Sequence, residues 1–138
     1  MQLKGVAYLQ REVMSEIDAK TTELIIEGFE VEVGGKTYTF SMASYAQTNL
    51  NTIGVKFAAG IDPFPVKIRL KDALETSPGT WKYSVTLTQA SQLNTLLTAK
   101  QAHVDAKEQE GWTLKEQALA ATDKATLAQI RETNESRV

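Results

Sequence analysis

Phe29-Glu30-Val31-Glu32-Val33-Gly34-Gly35-Lys36-Thr37-Tyr38-Thr39-Phe40 reads as a β-hairpin, and the rest of the fold is arranged around it. Gly34-Gly35 supplies the two positive-φ positions that a two-residue hairpin turn requires. That turn places Val33 opposite Lys36, Val31 opposite Tyr38 and Phe29 opposite Phe40. The apolar pairs fall on one face, and Glu30/Thr39 and Glu32/Thr37 fall on the other. A ribbon with one apolar face is a packing module that carries no chemistry of its own, and helical periodicity flanks it on both sides.

Upstream, Leu9, Val13 and Ile17 recur four residues apart and Leu24 follows one heptad after Ile17. This predicts a helix over about 6–27, stopped by Gly28. Glu12, Glu16, Asp18 and Glu23 occupy the remaining surface. The narrow apolar stripe suits a helix that meets a partner along a seam, which makes Val13, Ile17 and Leu24 candidate interface residues. Downstream, Ser41 is placed to cap a second helix, with Ala46, Leu50, Ile53 and Phe57 on its inner face and Gly60 at its end. Asp62-Pro63-Phe64-Pro65 is an extended connector.

Val66–Lys71 and Trp81–Leu87 alternate strictly and predict two half-buried strands, with Ser77-Pro78-Gly79 marking a turn at the end of the loop between them. Trp81 and Tyr83 are in phase with the inward positions of their strand. Thr88 is the natural N-cap of the longest helix, which begins at Gln89 with Leu93, Leu97, Lys100 and Val104 inward. The 97–104 spacing continues through Gly111 to Ala118. Gly111 costs about 1 kcal/mol in a helix interior, and Thr113-x-x-Glu116 resembles a capping box that would start a new helix. The reading adopted is one long helix with a soft spot at Gly111. A short helix from Lys124 to about Thr133 follows, with Leu127 and Ile130 inward. The expected fold class is therefore α+β: a small antiparallel sheet with helices on it, in one domain over 1–138. Its parts are an N-terminal helix at 6–27, a sheet-and-helix core at 29–88, a helical part at 89–133 and a polar tail at 134–138.

Composition excludes several function classes. No cysteine is present, so disulfides and thiolate metal sites are ruled out. No apolar run approaches a bilayer span, and Met1–Arg11 has no sustained apolar core of a secretory signal. The net charge of −2 conceals an asymmetry. Residues 1–33 hold three Lys/Arg against seven Asp/Glu, residues 34–88 six against three, and residues 89–138 six against seven. The acidic first third and basic middle are suited to attract each other, within one chain or between copies. Neither is biased enough to indicate nucleic acid.

Candidate sites are few. His103 is the only histidine, and its helical neighbours Ala99, Lys100, Ala106 and Lys107 supply neither a metal ligand nor a base partner, so it reads as a surface or interface residue. Glu30 and Glu32 have the spacing of an acid–base or cation-holding pair, but a solvated face that blunts an edge strand is the better account. Lys67, Arg69 and Lys71 form a basic row, with Lys82 opposite. Nucleic-acid binders interleave such rows with aromatics, whereas Trp81 and Tyr83 are expected in the core. The row fits an acidic protein patch, including the helix-one face of a neighbouring copy, or simple solubility. No phosphate loop, Gly-x-Ser-x-Gly elbow or Ser/His/Asp set occurs, so the expectation is no enzyme, cofactor or metal.

The order of short motifs resembles a family of small uncharacterised tailed-bacteriophage domains associated with tail-fibre and baseplate proteins. The carriers are the Gly28-Phe29 step after an acidic helix, Tyr38-x-Phe40-Ser41 closing a Gly-turn hairpin, and Ala46-Gln47-x-Asn49 in the next helix. Ala102-His103-Val104 follows in a Thr-capped helix, then Leu114-Lys115, Ala120-Ala121-Thr122 and a last helix with Leu127 and Ile130. The resemblance covers residues 16–131, and the stretch 61–80 departs from it, marking a place where this chain meets its own partner. It implies a tail structural or adaptor protein that is made in the host cytoplasm and located in the virion. Such a protein acts through contacts with other tail proteins or copies of itself, without nucleic acid or membrane. The alternatives are a tail-fibre assembly chaperone and a host-directed regulator. The interface candidates are Val13, Ile17, Leu24, Lys67, Arg69, Lys71 and His103.

Overall fold

The computed structural model describes residues 5–138. Its elements run α1 (Val6–Ile26), β1 (Phe29–Val33), β2 (Lys36–Phe40), α2 (Ser44–Ala58), β3 (Val66–Ser77), β4 (Thr80–Leu87), α3 (Ala90–Ala120) and α4 (Lys124–Glu135). The strands pair antiparallel in chain order, so the fold is α+β with a long C-terminal helix and a short terminal one. The chain groups into two compact units. A helical unit holds the residues through Ile25 together with Val104–Val138, and a sheet unit holds Ile26–His103. The first part of α3 belongs to the sheet unit and the rest to the helical unit.

In the sheet unit, Gly34 and Gly35 take φ of +62° and +82°, and the register is the one that turn dictates: Phe29 opposite Phe40, Val31 opposite Tyr38, Val33 opposite Lys36. Phe29, Val31 and Val33 are buried, while Glu30 and Glu32 are exposed. The Phe29 ring lies 5.8 Å from that of Phe40 and 6.2 Å from that of His103. The pair Phe40–Leu70 joins β2 to β3, and the Ser41 N–H donates to the Arg69 carbonyl at 3.0 Å. Buried Ala46, Leu50 and Ile53 of α2, Ile68 and Leu70 of β3, Val85 and Leu87 of β4, and Leu93 and Leu96 of α3 complete the core.

Four local expectations are corrected here. The loop expected after Lys71 is strand, and β3 runs on to Ser77 before a tight turn into β4. The β3–β4 register jumps from Arg69–Ser84 to Leu74–Lys82, so residues 70–73 face Tyr83 alone. Such a bulge bends and twists the ribbon. Trp81 and Tyr83, expected inside, lie at and beyond it and are exposed. Ser41 does not cap α2: its hydroxyl accepts the Ala43 N–H at 3.3 Å, and the helix starts at Ser44 without a side-chain cap. The start of α3 is capped by Gln92, whose Oε1 accepts the N–H groups of Thr88 (2.9 Å) and Gln89 (3.2 Å), the reach-back half of a capping box.

The helical unit closes around Val13, Ile17, Leu114, Ala118, Ala121, Leu127 and Ile130. The supposed seam of α1 is thus filled by this chain's own helices. Val13 and Ile17 are 1% and 0% exposed and Leu24 is also buried, so none is available to a neighbour. Three of the four carboxylates of α1 are engaged as well. Asp18 pairs with Lys115 at 3.0 Å, Glu16 with Arg131 at 2.9 Å, and Glu12 with Arg131 at 3.7 Å. The hydrogen bond to Glu16 holds the Arg131 guanidinium above its ordinary pKa. Three acids of the first third thus meet cations of the last third. Gln10 Nε2 donates to the carbonyls of Ala118 and Ala121, both at 3.1 Å, and so satisfies groups that the end of α3 leaves open.

The helix α3 passes Gly111 unbroken, as the heptad spacing requires, and the Thr113–Glu116 box starts nothing. Gly111 is there because α1 is close: a Cβ on it would stand 2.6 Å from Thr21 Oγ1. That oxygen cannot swing away freely, since it donates to the Ile17 carbonyl at 2.9 Å and accepts from Arg137 at 3.0 Å. Gly→Ala in a helix interior ordinarily stabilises by about 1 kcal/mol. Here Gly111→Ala will destabilise by about 1–2 kcal/mol, the cost of overpacking exceeding the helical gain. In a double-mutant cycle by urea denaturation, Thr21→Ala will cost less in the Gly111→Ala background than alone. A stabilised Gly111→Ala chain is the opposing result.

The helix α4 is capped by Asp123, whose carboxylate accepts the Thr126 N–H at 2.7 Å. That hydrogen bond lowers the carboxyl pKa. A carboxyl depressed in the folded state contributes stability that is full above its unfolded pKa and is lost as pH falls through the folded value. The difference in thermal midpoint between wild type and Asp123→Ala will therefore be constant near neutrality and shrink once pH drops below the ordinary aspartate range. Asp123→Asn, which keeps the acceptor without the charge, will not show that pH dependence.

Candidate functional site

Within the sheet unit, the start of α2 and the β3–β4 hairpin enclose a half-open cleft of about 330 Å³. Its floor is Ala46 and Leu50 of α2 with Ile68 of β3, all buried. Its walls are polar and aromatic. Tyr45 and Asn49 come from α2, and Lys67 and Arg69 from alternate positions of β3. Tyr83 and Ser84 come from β4, where Ser84 is the cross-strand partner of Arg69. The Arg69 guanidinium carbon lies 4.9 Å from the centre of the Tyr45 ring, a cation–π arrangement. Tyr45 is 55% and Tyr83 65% exposed, a large amount of aromatic surface to leave in water. No acidic residue occupies the first turn of α2, so the positive end of its dipole is uncompensated there.

Two of the seven interface candidates, Lys67 and Arg69, meet in this cleft. Lys71 is exposed on the irregular stretch of β3 and does not line it. His103 is half-buried, with its ring 6.2 Å from that of Phe29. Val13, Ile17 and Leu24 are interior, as above. Lys82 stands 5.0 Å over the Tyr38 ring, with its Nζ 3.4 Å from the Tyr38 hydroxyl.

Sequence reasoning missed Tyr45 and Tyr83, and named Asn49 only as part of the Ala46-Gln47-x-Asn49 motif. A signal for Tyr45 existed: it sits one residue off the Ala46–Leu50–Ile53 stripe, a large aromatic at a position the periodicity assigns to solvent. Tyr83 carried none, because its alternation with Val85 points inward and the bulge cannot be read from the strand it faces. The ground for setting nucleic acid aside, aromatics sequestered in the core, does not hold in this structure.

Chemically, the cleft offers a fixed guanidinium, an ammonium, two phenol rings, an amide and a hydroxyl over an apolar floor. Among the described residues, no group of three or more His, Cys, Asp or Glu side chains is placed to hold a metal ion. Among those same residues, no helix is long and apolar enough to cross a membrane.

Comparison with known proteins gives one match. A family described as a domain of unknown function (DUF4376) matches residues 8–132. No curated protein and no solved structure matches the chain.

Proposed function

The chain belongs to the DUF4376 family, whose description stops at unknown function, and we propose for it a structural or adaptor role in a bacteriophage tail, at the tail fibre or baseplate. It works by protein–protein contact and without catalysis. The contact mechanism is carried by one observation, the exposed Tyr45, Arg69 and Tyr83 gathered around a buried apolar floor. Aromatic and arginine side chains over desolvated floors are where interface energy concentrates. The tail setting is supported by the order of motifs from Gly28-Phe29 to Leu127 and Ile130, and by nothing in the cleft itself. Tail machines are symmetric, so a small component repeats around an axis and multiplies a modest contact.

Quantitative mass spectrometry of purified, intact particles tests this role. A reproducible copy number that is a whole multiple of the tail symmetry is the expected result. Absence from particles together with abundance in infected-cell lysate would overturn it in favour of an assembly chaperone or a host-directed regulator.

A further inference from the structure

We infer that the cleft between α2 and the β3–β4 hairpin takes an acidic segment of a partner protein, its carboxylate on Arg69 and a neighbouring apolar side chain on the floor. This rests on the proposal that the chain acts by protein contact, and it adds the chemistry of what is contacted.

The Arg69 guanidinium carbon lies 4.9 Å from the centre of the Tyr45 ring, a contact on one side that leaves an N–H edge for a planar acceptor. A carboxylate meets such an edge with two parallel hydrogen bonds. Lys67, two residues back, projects to the same side of β3 and adds a second charge at the cleft wall. Among the described residues, no carboxylate forms an ion pair with Lys67 or Arg69.

The acidic face of α1 is the obvious internal candidate for a basic strand, or the same face of a second copy. Glu12, Glu16 and Asp18 are already paired with Arg131 and Lys115. Recruiting those three would break existing pairs, which favours a carboxylate supplied by another protein.

A protein acid fits the cleft better than a nucleic acid does. A polyanion tracking the exposed aromatics along this hairpin would leave the cleft and meet Asp72, then Glu75, which is the cross-strand partner of Trp81. A base stacked on Trp81 would thus set its phosphate beside a carboxylate. The positive charge is local to the cleft, which suits one or two carboxylates and not a phosphate backbone. The apolar floor of Ala46, Leu50 and Ile68 is likewise matched to an aliphatic or aromatic side chain.

The test uses the full chain, labelled with ¹⁵N, and three probes: a peptide of alternating glutamate and leucine, its glutamine–leucine counterpart, and oligothymidylate. The glutamate peptide is expected to shift the amide signals of Tyr45, Asn49, Tyr83 and Ser84, and to bind more weakly as salt rises. Arg69→Gln, an exposed substitution whose fold is checked by circular dichroism, will weaken it about tenfold, as will replacing glutamate by glutamine in the peptide. Lys124→Gln in the helical unit will leave binding unchanged. The inference is overturned if the glutamate peptide fails to bind, if its shifts fall outside the cleft, or if the glutamine peptide binds equally well. It is also overturned if Arg69→Gln has no effect, or if oligothymidylate displaces the peptide from the cleft. The particle count is independent. A chain found in tails whose cleft ignores the glutamate peptide defeats only the acidic-segment inference, and the reverse pattern defeats only the tail role.

Discussion

Ile17→Asp will unfold the helical unit. The Ile17 side chain is 0% exposed and sits in the cluster with Val13, Leu114, Ala118 and Leu127, so a carboxylate there is cut off from water among apolar side chains. Leaving an unpaired charge in an apolar site costs about 3–5 kcal/mol or more. That is a large share of the roughly 5–15 kcal/mol that holds a whole domain. The backbone makes matters worse, because the Ile17 carbonyl also accepts from Thr21 and Arg137, and any shift that rescues the carboxylate disturbs both. Ile17→Leu, nearly volume-conserving, will cost under about 1.5 kcal/mol. The measurement is thermal and urea denaturation by far-UV circular dichroism, with molar mass by light scattering. If α1 were a seam between copies, Ile17→Asp would lower the mass and leave the melt intact. The structure requires the opposite pattern: loss of the cooperative helical transition whatever the starting mass.

Much of this architecture was legible because short-range chemistry decided it. The Gly34-Gly35 turn admits one register, so every cross-strand pair from Phe29–Phe40 to Val33–Lys36 could be written down from the sequence. The heptad from Leu97 through Val104 and Gly111 to Ala118 likewise implied one helix, and α3 is one helix. What could not be read was which surface an apolar stripe would meet. The stripe of α1 has the same pattern whether the covering helices come from a second copy or from residues 104–138 of the same chain. Only the fold brings Leu114, Ala118, Leu127 and Ile130 to it. Charge asymmetry did not reveal the pairs within the chain for a related reason. Counting acids and bases by thirds pairs the first with the middle, but distance in space pairs Glu16 with Arg131 and Asp18 with Lys115.

The cleft was half legible. Lys67 and Arg69 stood out as charges alternating on a strand, and their position on the cleft wall agrees with that reading. Their aromatic partners did not stand out, because the irregularity that exposes Tyr83 is set by a mismatch between two strands: four residues of β3, 70–73, spanning one of β4. Neither strand alone reveals it. Gly111 is an instructive intermediate. Its cost to the helix was plain from the sequence, but its reason, the Thr21 hydroxyl where a Cβ would go, is a tertiary fact.

Arg137→Met will cost about 2–4 kcal/mol, from a position that the sequence assigns to a polar tail. The residue is only 9% exposed. Its Nε donates to the Glu110 carboxylate at 3.3 Å. Its Nη1 donates to Asn134 Oδ1 at 3.1 Å, to Thr21 Oγ1 at 3.0 Å and to the Ile17 carbonyl at 3.4 Å, and its Nη2 donates to the Lys107 carbonyl at 3.0 Å. One guanidinium thus ties the segment after α4 to α1 and α3. Methionine fills the space but donates nothing, so Asn134, itself 3% exposed, and the Lys107 carbonyl lose their partner in a place poor in water. Arg137→Lys keeps the charge but not the planar fork, and will recover less than half of the loss. Glu110→Gln will cost less than about 1 kcal/mol, because that carboxylate is 42% exposed and its charge is screened. This ordering separates a hydrogen-bonding clamp from a simple ion pair. If the Glu110 and Arg137 variants were equally damaging in urea denaturation, the ion pair would carry the energy. If Arg137→Met fell within about 0.5 kcal/mol of wild type, the network of bonds around it would be geometry without consequence. The clamp reading requires the Arg137 loss to exceed the Glu110 loss several-fold, with amide exchange rising first at Asn134 and in the segment that follows it.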